Sequence, residues 1–243
     1  AGDVKTLIGM LEKKNQSFTT PIQEAISAGL ATKPASEQLA IIRQHMKNST
    51  SASLYYPLLT STGSGEAVAQ VAEAYRTTTG SDKESALKAL KGVQNFESIY
   101  LLMNIFNENL PADKTAEVVQ SILRLIDNSG KTGEVRTVFL RELLSASHDN
   151  QQKRAIISRL GVAGTFQAMI AIAPYLDQQD LKEAACQAII NIALDRPQLA
   201  GTLTTQLLEK VMKEVNNPDA GYQRDAIRKY LTADQAVLYE MIW

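Results

Sequence analysis

Gly161 and Gly164, in the stretch SRLGVAGTF at 158–166, are the residues whose type and spacing come nearest to a recognisable chemistry. Glycines ahead of a helix can present backbone N–H groups to a phosphate. That chemistry needs a context the stretch lacks, since a dinucleotide loop is G-x-G-x-x-G after a strand and a P-loop ends in Gly-Lys-Ser/Thr. The residues read instead as helix punctuation: Gly161 in the left-handed position that closes one helix, Thr165 as N-cap of the next.

The remaining candidates read the same way. His45 and His148 lie about a hundred residues apart, too far along a quasi-linear array to share a metal or a Ser-His-Asp set, and His148 belongs to a solvated turn. Cys186 sits in an Ala-rich helix, where a small buried thiol is expected and no neighbouring base or cation is indicated. Asp177 with Asp180, or Glu183 with Gln187, have a spacing that could serve a general acid and base, but it equally suits a solvated helix start, where acids meet the positive dipole end. Tyr222, Arg224, Arg228, Lys229 and Tyr230 form a small basic and aromatic group, read as a solvated face. Tyr55 and Tyr56 are consistent with a binding edge or with packing. Catalytic, cofactor-binding and metal-ligating residues are accordingly all assigned as none, and no cofactor is expected.

Those residues must be held by helices. Of 243 residues 44% are apolar and only 6% aromatic, with abundant Ala, Leu, Gln, Glu and Lys, which favours an all-α chain over many short strands. Twenty-five basic against 26 acidic side chains give a net charge of -1, so nucleic acid is not an expected partner. The single cysteine rules out an internal disulfide, and no apolar run reaches the length of a membrane span. Beginning at Ala1, the chain is expected to be a processed or excised piece. The apolar run from Val237 to Trp243 is expected either to cover the last repeat or to start a further segment.

Apolar spacing and turn residues place paired helices at 64–77 and 82–92, 96–107 and 112–127, 132–146 and 150–160, 165–175 and 178–194, and 202–216 and 219–230. Ile99, Leu102, Met103 and Phe106 mark one core face, and Phe166, Met169, Ile170 and Ala173 mark another. Less regular helices fall near 3–13, 21–30, 35–47 and 52–60. Ala86 with Ala155 and Gly92 with Gly161 are 69 apart, while Ile99 with Phe166 and Ile122 with Ile189 are 67 apart, an internal repeat that lost two residues at a turn. Each such unit holds two helix pairs. The reading is an α-α superhelix, a HEAT/armadillo-like solenoid of antiparallel helix pairs forming one continuous domain: 1–62 as irregular capping helices, 63–231 as repeats, 232–243 as a C-terminal cap or the start of a further segment.

QQKRAIISRLGVAG, TFQAMIAIAPYL and DLKEAACQAIINIAL resemble the alternating helices of the HEAT-like repeat family. More narrowly, the run from Ser53 to Leu231, with YYPLLTSTGSGEAV and YQRDAIRKYL, is similar to the HEAT-like region of exported Bacteroidetes-type proteins, often joined to a 3-keto-disaccharide hydrolase-like domain. The resemblance implies a non-catalytic scaffold for protein-protein or interdomain contact, periplasmic or exported, with a protein partner or an attached neighbouring domain. Two alternatives are an accessory region of a carbohydrate-processing protein, linked to carbohydrate only through that attached domain, and a HEAT-like DNA glycosylase. The latter needs a basic, aromatic groove, against which the balanced charge and single Trp243 argue.

Overall fold

A computed structural model describes residues 4–13, 18–108, 110–214 and 221–240, with side chains to residue 232 in the last segment. Every regular element among them is helical. None of these helices is long and apolar enough to cross a membrane. Contacts divide the chain into two units, Ala1–Ser129 and Gly130–Trp243.

The first unit holds α1 (Val4–Leu11), α2 (Thr19–Leu30), α3 (Ala35–Asn48), α4 (Tyr56–Ser61), α5 (Gly65–Thr77), α6 (Gly80–Lys91), α7 (Ile99–Phe106) and α8 (Ala112–Asp127), with short 3-10 turns leading into α4 and α7. Neighbours in sequence pair, as α1 with α2, α5 with α6 and α7 with α8. Every second helix also touches: α4 lies against α2 and α6, and α6 against α8. Pro34 and Pro111 stand at the N-caps of α3 and α8, where a missing N–H costs no helix hydrogen bond. The residues expected to be buried on α7 (Ile99, Leu102, Met103, Phe106) are buried, as are Val118, Val119, Ile122, Leu125 and Ile126 on α8. Arg124 of α8 closes the end of α6: its guanidinium donates to the Lys91 carbonyl at 2.6 Å, the Val93 carbonyl at 2.9 Å and Gln94 Oε1 at 2.8 Å. The first two are backbone carbonyls at or just past the helix end, without a partner inside their own helix.

The second unit holds α9 (Gly133–Ala146), α10 (Asn150–Ala163), α11 (Phe166–Ile172, continued by a 3-10 turn through Asp177), α12 (Lys182–Asp195), α13 (Thr202–Glu214) and α14 (Gly221–Glu240). Here α9 pairs with α10, α11 with α12 and α13 with α14, while α12 contacts both α10 and α14. The start of the helix expected at 219–230 lies outside the described residues. The backbone of Val237 to Glu240 continues α14, and Met241, Ile242 and Trp243 lie outside the described residues too.

Two expectations are corrected. α10 runs past Gly161 to Ala163, and the left-handed residue that ends it is Gly164, with φ 67. Gly161 serves packing instead, because a Cβ there would stand 3.0 Å from the Cα and Cβ of Ala188. Likewise Gly92 ends α6 with φ -82, so its correspondence with Gly161 is not a shared left-handed stop. The second correction concerns α11, whose buried face is Ala168, Met169 and Ile172, while Phe166 and Ile170 face solvent at 38% and 40% exposure. A helix apolar over most of its circumference offers more than one face with helical spacing, and periodicity alone does not choose.

Candidate binding surface

The approach of Gly161 to Ala188 sets α10 and α12 side by side. Arg154 Nε donates to the Asp180 carbonyl at 2.9 Å, so the two contacts advance together and the helices run in the same direction. Ala184 and Ala188, being small, floor a polar trough of about 630 Å³ between them. Four-residue steps put Arg154 and Ser158 along one wall and Glu183, Gln187 and Asn191 along the other. Side-chain amides are linked head to tail: Gln223 Nε2 of α14 donates to Gln187 Oε1 at 2.9 Å, and Gln187 Nε2 donates to Asn191 Oδ1 at 2.8 Å. Such amides both donate and accept, which suits them to the peptide groups of a partner. The trough is lined by the Gln187 and Asn191 amides together with the Asp180 and Glu183 carboxylates, the Arg154 guanidinium and the Ser158 hydroxyl.

Each residue singled out from sequence finds a plain place. The phosphate reading of SRLGVAGTF has no support: Thr165 Oγ1 is committed as N-cap, accepting from Ala168 N–H at 3.0 Å. The same hydroxyl lies 2.9 Å from Thr137 Oγ1, which donates to the Gly133 carbonyl at 2.7 Å. With that proton committed, the Thr165 hydroxyl is the donor to Thr137, and the buried chain from Ala168 to Gly133 is complete. His45 belongs to α3 in the first unit, and His148 is exposed in the turn between α9 and α10 of the second. Among the described residues no cluster of three or more His, Cys, Asp or Glu could hold a metal.

Cys186 is buried, and burial pushes its thiol up to about 11, away from the thiolate a nucleophile requires. Asp177 and Asp180 go to different neighbours: Lys210 Nζ lies 2.6 Å from Asp177 Oδ1, and Asn150 Nδ2 donates to Asp180 Oδ2 at 2.9 Å. Tyr55 and Tyr56 are buried rather than displayed, and Tyr55 donates to Glu12 Oε1 at 2.7 Å. Burial first, then the Glu12 carboxylate, hold that phenol well above its ordinary value. Arg228 pairs with Asp225 at 3.1 Å on its own helix and Tyr222 is 88% exposed, whereas Arg224 and Tyr230 are half-buried, with Arg224 Nε and the Tyr230 hydroxyl away from solvent, so only part of the basic and aromatic group is a solvated face.

The sequence reading missed the α10–α12 trough. Its signal was available as Glu183, Gln187 and Asn191 at four-residue intervals, but nothing in the sequence says that α12 lies against α10 rather than only against its partner α11. Compared with known proteins, the chain matches no family model and no curated protein.

Proposed function

We propose that the chain is a non-catalytic scaffold of the HEAT-like kind, an α-α superhelix of antiparallel helix pairs that binds a protein partner or an attached neighbouring domain. The observation that carries this reading is one packing rule recurring in both units: each helix pairs with its sequence neighbour, and even-numbered helices lie against the next even-numbered one. A helix pair of this size cannot bury its apolar stripe alone, and lateral stacking supplies the missing cover. The scattering of the histidines, the cysteine and the acidic pairs supports a role without catalysis. The trough between α10 and α12 is the surface best suited to a partner, because its amides and the Glu183 carboxylate are displayed where the backbones leave room.

The test uses the whole chain and a triple variant, Glu183→Arg, Gln187→Ala and Asn191→Ala, which keeps every buried residue. A protein or domain held by the parent and released by the variant supports the reading. Turnover in a hydrolase and glycosylase screen that survives repurification and is lost on a point substitution overturns it.

A further inference from the structure

We draw no further inference here: the strongest candidate, the groove between α9 and α11 that Val138, Ala171 and Tyr175 line, carries mixed charges that suit any partner, with Arg141 beside Glu142 and Lys153 over the Tyr175 ring, and nothing in the structure shows what covers it.

Discussion

Gly161 shows how a residue's role follows from its neighbour rather than its type. In a helix interior, glycine is about 1 kcal/mol worse than alanine, so Gly161→Ala would stabilise an isolated helix. Against Ala188 the added Cβ meets Cα and Cβ at 3.0 Å, and separating two packed backbones costs about 1 to 3 kcal/mol. The second effect is the larger, so Gly161→Ala should lower the urea midpoint, and adding Ala188→Gly should recover part of the loss. A stabilised single variant would show that α10 and α12 do not approach as described. Cys186 offers a pH test with a definite sign. Its thiol, ordinarily near 9.0, is held up to about 11 by burial first and then by the Glu214 carboxylate. Below pH 9 the proton is bound in both states and the contribution to stability is complete. Between 9 and 11 the unfolded chain ionises first, so that contribution declines and is gone above about 11. The melting temperature of Cys186→Ala should therefore fall less steeply over this range than that of the parent, the tyrosines being common to both.

Helix positions were legible because the chain punctuates them densely. Pro34 and Pro111 stand at N-caps, Thr165 is the N-cap its context indicates, and the apolar spacing of α7 names residues that are in fact buried. What was not legible is the side-by-side contact of every second helix, which depends on residues about 27 apart, such as Gly161 with Ala188, and leaves no periodic trace in either helix. The exposed face of α11 was misread for the same reason: Phe166 and Ile170 satisfy helical spacing, and only its packing against α9, α10 and α12 decides which apolar stripe is inside. Arg124 is another such contact, reaching from α8 to three oxygens at the end of α6. Its planar fork satisfies all three at once, which a lysine ammonium cannot do in the same geometry. Arg124→Lys should thus destabilise by about 1 to 3 kcal/mol, the cost of leaving part-buried carbonyls without donors. Chemical denaturation would measure it, and a loss no larger than about 0.5 kcal/mol, ordinary for a surface change, would remove the clamp from the account.

At the scale of the molecule, helices α1 to α8 and α9 to α14 belong to separate contact units meeting at Ser129 and Gly130. Within each, a helix gains its cover from those one and two places away, as α10 does from α9, α11 and α12. Stability built from nearest-neighbour terms should respond locally to injury, in contrast to a single shared core, where any cavity or clash is felt throughout. Hydrogen exchange on paired variants distinguishes the two cases. Gly161→Ala should lower amide protection in α10, α11 and α12 by about tenfold, roughly 1.4 kcal/mol of local opening energy, and change α5 to α7 by less than about twofold. Arg124→Lys should do the reverse, exposing α6 and α8 while α10 and α12 keep their protection. Equal loss across both units in both variants would mean that the chain unfolds as one cooperative body, and the local accounting for Gly161 and Arg124 would then have to be replaced by a global one.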